Sequence, residues 1–387
     1  MLPRRSVLDA LERYDRRALR IGALGSHSAL DVADGAASEG FRTLVVAQKG
    51  RELTYDRFFK AKRDRVGKLV RGCVDEVITL PKFGDVLQDS IQQRLLESST
   101  LWIPNRSFTV YTGIDNVEDK WRVPIMGNRA MLRSEERTEQ RDYYWLLEKA
   151  GLPFPEKIED PRDIHELSIV KLHHAKKKLE RGFFTATSYE EYREKSSELL
   201  GAGVIDEESL AKARIERYII GPVFNFNFFH SPLAKRAGEE PIELLGVDWR
   251  FESSLDGHVR LPAAQQLALR GKQKVPEMNV VGHNTATVRE SLLEDAFQLA
   301  EKFVKAAAEH YAPGVIGPFC LQTCVDKDLK FYIYDVAPRI GGGTNVHVGV
   351  GHPYGNALWR QEMSTGRRIA AEVRRAVEMD RLADIVT

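Results

Sequence analysis

Near its carboxyl end the chain reads YIYDVAPRIGGGTN, an acid, an arginine and a run of glycines in close succession. Asp335 ends an apolar run, Arg339 follows, and Gly341, Gly342 and Gly343 come next. A carboxylate at a strand end suits Mg²⁺, with Mn²⁺ as the alternative, because such ions take oxygen ligands. An arginine beside it clamps phosphate, and glycines let backbone N–H groups approach an anion. Gln322 lies on the preceding apolar run, GPFCLQTCV, and comes beside Asp335 if the two runs pair. The bare alternative is an ordinary hairpin followed by a glycine loop.

Three further segments carry candidate chemistry. In SIVKLHHAKKKLERGFF, Lys171 is placed to meet an α- or β-phosphate, and Lys176–Lys178 and Arg181 add positive charge. A charge run by itself is more often a solvated face. In ARIERYIIG, a short apolar strand ending in glycine offers backbone bonds to an adenine edge, and Glu216 can reach a ribose hydroxyl. In RIGALGSHSALDVADG, an apolar run reaches the turn Gly25, Ser26, His27 and then a small-residue helix. A dinucleotide fingerprint needs glycine where Leu24 and His27 stand. The second run ends VVAQKGRE, basic where a ribose-binding acid belongs. The turn therefore suits a single anion at a helix start. A neutral imidazole at His27 is a candidate proton acceptor, and otherwise a capping residue.

The elements that must position these residues follow from the apolar spacing. LRIGAL, RTLVVAQ, DEVITL and STLWIP read as strands separated by helices at Ser28–Glu39 and in DVLQDSIQQRLLE. That alternation predicts a parallel sheet with ligands beyond the carboxyl ends of its strands. A polar helix, SEERTEQRDYYWLLEKAG, is predicted to stop at Gly151. Strand-like runs follow, and FNFNFFH alternates as a half-buried antiparallel strand does. A long amphipathic helix covers ESLLEDAFQLAEKFVKAAAEHY, and a last helix spans about Arg367 to Met379.

Composition narrows the class. The 387 residues carry a formal net charge of +1, which does not point to nucleic acid or membrane partners. No apolar stretch is long enough for a membrane span or a signal peptide, so the expected location is the cytoplasm. Cys73, Cys320 and Cys324 are too few and too irregular for a disulfide framework, and read as small buried hydrophobes.

Taken in order, Val170 and Lys171, then Glu216, Tyr218 and Gly221, then Asp335, Pro338 and Arg339 with the glycine run resemble the ATP-grasp superfamily. GSHSALDVADGAASEGF, QKGRE, GNR, ELLGVDWRFESSLDG, RESLL and GPFCLQ extend the resemblance over nearly the whole chain. They are most similar to the archaeal formate-dependent synthetases of 5-formaminoimidazole-4-carboxamide ribonucleotide (FAICAR). The resemblance implies an α/β and α+β fold, an ATP-grasp unit preceded by a Rossmann-like parallel domain. The expected boundaries are 1–135, 136–218 and 219–387. It implies a ligase that joins formate to the 5-amino group of 5-aminoimidazole-4-carboxamide ribonucleotide (AICAR), through formyl phosphate, in purine synthesis. ATP and Mg²⁺ are the implied cofactors, AICAR, formate and ATP the small-molecule substrates, and a homo-oligomer, trimer or hexamer, the implied assembly.

Carried over residue by residue, Gly25, Ser26, His27, Ser107 and His283 face AICAR. Lys171, Arg181, Glu216 and Glu252 line ATP. Gln322 and Asp335 hold the metal, and Arg339 meets phosphate. His27 and Arg339 are the expected catalytic residues. Three positions depart from the family pattern. The loop HHAKKKLERG is two residues longer than the usual PGARGGRG, His283 replaces an asparagine, and Ala337 stands where many superfamily members have a metal-binding asparagine. These departures keep two other readings open: a paralogous carboxylate–amine ligase with another substrate, and a nucleotide-binding paralogue without catalysis.

Overall fold

A computed structural model describes residues 2–137, 139–172, 183–269 and 280–387. The amino-terminal part contains β1 (Arg20–Leu24), β2 (Arg42–Gln48), a small hairpin of β3 (Lys62–Arg63) and β4 (Leu69–Arg71), β5 (Glu76–Leu80) and β6 (Thr100–Trp102). The main sheet runs β5-β2-β1-β6, with every pairing parallel. Its strands are apolar almost throughout, as strands covered on both faces must be. The four strand runs read from the sequence are these four strands. The charged segment 60–71 forms the hairpin, and its Arg63 pairs with Asp75.

A second sheet joins β7 (Lys157–Ile158), β8 (Ser168–Lys171), β9 (Phe183–Ala186) and β10 (Arg214–Arg217) in the order β7-β10-β8-β9. The third sheet is antiparallel and runs β13-β12-β11-β14-β15. It comprises β11 (Val223–His230), β12 (Ile242–Glu252), β13 (Val280–Thr285), β14 (Gly317–Val325) and β15 (Phe331–Ala337). One face packs Phe226, Phe228 and Phe319 against the helix Leu293–His310 through Ala300, Phe303 and Ala307. The side chains on the other face are treated with the site below.

Two expectations change. The polar helix is confined to Tyr143–Lys149, with Asp142 capping its start through Trp145 N at 2.9 Å. Ahead of it Arg129–Glu135 forms a 3₁₀ turn, whose side chains bond elsewhere: Arg129 to the carbonyls of Val117 and Trp121, Arg133 to Glu118 and Glu135 to Arg339. The strand in ARIERYIIG stops at Arg217. Gly221 is needed for a different reason, since any Cβ there would overlap the carbonyl oxygen of Val325.

The last helix, Thr365–Glu378, returns to the amino-terminal unit and crosses the helix Ala29–Ser38. Ile369, Ala370 and Val373 share a core with Val32, Ala36 and Leu245. Arg368, fully buried, fastens this helix to β12 by holding Glu243 at 2.8 Å, and pairs within the helix with Glu372 at 2.8 Å. At the crossing Gly366 lies against the backbone of Asp31, and Gly35 against that of Arg367. A Cβ at either glycine would overlap main chain that cannot move alone. Gly366→Ala is therefore expected to destabilise the protein by about 1–3 kcal/mol through overpacking. Urea denaturation midpoints measure this, and an unchanged midpoint would show that the crossing can relax.

Candidate active site

The turn after β1 is built before any ligand arrives. His27 adopts φ 46°, a left-handed conformation uncommon for residues other than glycine. Neighbouring side chains hold it there. Asn345 donates to the His27 carbonyl at 2.9 Å, and Asn105 donates to the carbonyls of Leu24 and Ser26 at 2.9 and 3.1 Å. Ser107, in the first turn of the helix Arg106–Thr112 that follows β6, donates to Ser26 Oγ at 2.8 Å and lies 3.1 Å from His27 Nδ1. Thus Gly25, Ser26, His27 and Ser107 form one polar cluster at the carboxyl ends of β1 and β6.

The glycine run closes on this cluster from the other unit. Ser28 Oγ donates to the carbonyl of Gly341, and Gly342 leaves 3.3 Å between a would-be Cβ and His27 Cδ2. A Cβ at Gly341 would overlap Asn227 Oδ1, and one at Gly343 would overlap Asp248 Oδ2. Two of the three glycines are thus required by the protein's own polar side chains, a role the sequence reading assigned to an anion. FNFNFFH explains the crowding. Its Asn225 and Asn227 are buried and donate to Asp248 at 2.8 and 2.6 Å. The strand is covered on both faces, and its polar alternation marks the site face, where the sequence predicted solvent.

The face around Asp335 gathers cations. Gln322 and Asp335 are register partners on β14 and β15, as the pairing of those two runs required. Gln322 Oε1 accepts from Arg250, which also reaches Tyr334 Oη at 3.3 Å. Arg137 lies 3.8 Å from Asp335. Lys171 pairs with Glu216 at 2.6 Å and donates to Tyr144 Oη at 2.7 Å. Glu216, fully buried, also accepts from Arg214 at 2.6 Å, so the carboxylate read as a ribose contact is engaged by two cations. Burial pushes Lys171 down to about 8, against the pull of Glu216. Arg339 holds Glu135 at 2.6 Å. Glu252 ends β12, and burial raises its carboxyl. Arg181 and the basic run Lys176–Lys178 lie outside the described residues.

Arg137, Arg250, Asp248 and Tyr144 were not named as site residues from the sequence. Asp248 and Arg250 lie within the motif ELLGVDWRFESSLDG, whereas Arg137 and Tyr144 sit in no motif and reach the site only through the tertiary fold. The oxygen-only set of Asp335 and Gln322 suits a hard divalent ion but is poor in negative charge. It fits such an ion when phosphate oxygens supply most of the ligands. Among the described residues no group of three or more His, Cys, Asp or Glu side chains gathers to hold a metal by itself.

A parallel α/β unit, a small sheet carrying a buried lysine–glutamate pair and an antiparallel sheet carrying an acid–amide pair define an ATP-grasp ligase. Two family models match: one described as a protein of unknown function (DUF1246) over residues 21–158, and one as a domain of unknown function (DUF1297) over residues 191–387. The chain is 39% identical over 382 residues to a 5-formaminoimidazole-4-carboxamide-1-(beta)-D-ribofuranosyl 5'-monophosphate synthetase from Methanobrevibacter smithii, covering 98% of each chain. It is similar in structure to an IMP biosynthesis protein PurP from Thermococcus kodakaraensis, with 30% identity, a TM-score of 0.69, and coverage of 95% of this chain and 100% of that one. A biotin carboxylase from Campylobacter jejuni shares the fold at 12% identity and a TM-score of 0.55, over 92% of this chain and 70% of that one. The chain belongs to the family of FAICAR synthetases. It is an ATP-using, formate-dependent ligase of IMP biosynthesis. No helix among the described residues is long and apolar enough to cross a membrane.

Burial, helped by Arg339 and Arg106, pushes His27 down to about 4 from its ordinary 6.5. Between these values an unfolded chain binds a proton at His27 that the folded protein does not. The His27 contribution to stability is therefore complete above pH 6.5 and is lost as pH falls toward 4. Asp31, raised to about 6 by burial, acts in the opposite sense at the acid end. Comparison with His27→Asn isolates the histidine. The stability advantage of wild type over the variant should shrink as pH drops through this window, and a constant difference would contradict the assignment.

Proposed function

We propose that the chain forms FAICAR by transferring the γ-phosphoryl group of ATP to formate, giving formyl phosphate, which the 5-amino group of AICAR then attacks. Formate by itself is a poor electrophile, and phosphorylation gives its carbonyl a good leaving group. The observation that carries this reading is the meeting of two anion-suited regions across one glycine loop. Gly25, Ser26, His27 and Ser107 lie on one side. Lys171, Arg137 and Arg250 lie near Asp335 on the other, with Arg339 paired to Glu135.

In this reading the turn at Gly25–His27 and Ser107 hold the AICAR monophosphate, and His283 faces the same nucleotide. Lys171, Arg181, Glu216 and Glu252 line ATP. Arg339 and Arg137 offset the charge that builds on the transferring group, where fixed positive groups act most strongly in a water-poor site. Gln322 and Asp335 would hold Mg²⁺, which when bound neutralises phosphate charge. Tyr144 keeps the Lys171 ammonium fixed toward the phosphates, so no reorganisation is needed at the moment of transfer. We also read the enzyme as a cytoplasmic homo-oligomer, a trimer or hexamer, which light scattering tests.

A second reading, a ligase with another amine or carboxylate, is motivated by His283 and the long basic loop 173–181. A panel of nucleotide monophosphates assayed for phosphate release separates the two. The main reading predicts ADP formation that requires formate and AICAR together. Asp335→Asn should lower kcat at least about a hundredfold while leaving the fold intact, since charge stabilisation at the phosphoryl group typically supplies that much. ADP release that ignores either substrate, or an Asp335→Asn protein with full activity, would overturn it.

A further inference from the structure

Formate offers a protein two oxygens, one negative charge and nothing else to hold. A guanidinium matches such a group, because its N–H donors are set at the spacing of the two oxygens. Of the cations named above for the site, three already have acids. Lys171 pairs with Glu216 at 2.6 Å and Arg339 with Glu135 at 2.6 Å. Arg137 lies 3.8 Å from Asp335 and donates to Tyr143 Oη at 2.9 Å. Arg250, half-buried, instead donates to two neutral oxygens, Gln322 Oε1 and Tyr334 Oη, the second at 3.3 Å. Asp335, Glu252 and Asp248 attract it from farther away. Both oxygens of Asp248 are taken by Asn225 and Asn227, at 2.8 and 2.6 Å. Turning from neutral acceptors to an anion favours a guanidinium, whereas Lys171 and Arg339 would first have to give up a carboxylate.

The antiparallel sheet sets where this arginine lies. Asp248 and Arg250 are alternate residues of β12 and so share the site face. The cross-strand partner of Arg250 is His283 on β13, which faces AICAR in the ligase reading. In the other direction the Arg250 side chain crosses β11 to reach Gln322 on β14, whose own partner is Asp335 on β15. Arg250 therefore bridges the strand pair suited to metal and phosphates and the strand beside the nucleotide. The formyl carbon has to lie between those two, since it is joined first to the γ-phosphoryl group and then to the amine.

We propose that Arg250 binds the formate carboxylate and stays on the formyl oxygen through both steps of the reaction. The proposal rests on the ligase reading above. In the first step one formate oxygen attacks the γ-phosphorus. The bond from phosphorus to the ADP oxygen breaks, and its electron pair goes to ADP. In the second step the amine lone pair forms the N–C bond, and the carbonyl electrons move onto the oxygen held by Arg250. They return as the C–O bond to phosphate breaks, and phosphate takes that electron pair and the amine proton. A fixed guanidinium at the oxygen where charge develops stabilises the transition state more than the ground state. One cation thus serves as the binding group for formate and as the donor to the oxyanion.

The test uses the full-length enzyme with ATP, Mg²⁺, AICAR and formate, following ADP. Binding alone is read from the NMR line width of isotope-labelled formate with Mg²⁺, AICAR and a non-hydrolysable ATP analogue. Arg250→Gln should raise KM for formate about tenfold to a hundredfold, the worth of a hydrogen bond to a charged group. It should also lower kcat, abolish the broadening of the formate line, and leave KM for ATP and for AICAR unchanged. Arg250→Lys keeps the charge without the planar fork and should fall between wild type and the glutamine variant. It carries the test if the glutamine variant does not fold. A wild-type KM for formate in these variants overturns the proposal. A raised Mg²⁺ requirement with KM for formate unchanged assigns Arg250 to holding Gln322 and overturns it as well. If wild type neither broadens the formate line nor forms ADP with formate and AICAR together, the ligase reading fails and the formate site falls with it.

Discussion

The site depends on a main chain that runs where no side chain fits. Gly341, Gly342 and Gly343 pass between the amino-terminal turn and the antiparallel sheet, pressed by Asn227, His27 and Asp248. Ser28 and Asn345 tie the passage shut through the Gly341 and His27 carbonyls. This contact joins the amino-terminal turn to the sheet that carries Asp335. A methyl group at Gly341 or Gly343 would force the two halves of the site apart. The cost would be felt in geometry, and misplacement of reacting groups by an ångström is enough to slow a reaction greatly.

Around that passage the protein solves a charge problem. Three cationic side chains, Arg137, Lys171 and Arg250, stand near Asp335, while Arg339 is held by Glu135. Unpaired, such buried charges would cost several kcal/mol each, on the order of the whole stability of a domain. The Lys171–Glu216 pair shows the arrangement in miniature, since the same ammonium touches Tyr144 and the carbonyl of Tyr334.

Much of the fold was legible because its signals are local. Apolar runs of strand length between helix-length segments predicted the parallel sheet, and the Gly–Pro punctuation near Gly151 predicted the end of a helix. The site was legible in part. Gln322 and Asp335 were placed together by the pairing of neighbouring strands, and Ser26 and His27 by the turn at a strand end, while Ser107 came from the family resemblance. What escaped was contributed by segments far apart in the chain. Asn225 and Asn227 looked like solvent-facing positions because alternation reports that a strand has two faces, not what covers each face.

The order of residues determined that this chain builds a parallel α/β unit followed by antiparallel strands, because periodicity and turn chemistry act over a few residues, and its motifs carried the resemblance to the ATP-grasp superfamily. It also identified the chemistry-bearing motifs by type. Tertiary structure decided how those residues are used. It turned the glycine run from an imagined anion cradle into a close-packed passage, engaged Glu216 with two cations, and set Asp248 beside His283. The reason is physical. The charge and tautomer of a buried group depend on its neighbours in space, and a sequence fixes those neighbours only after the sheets have closed.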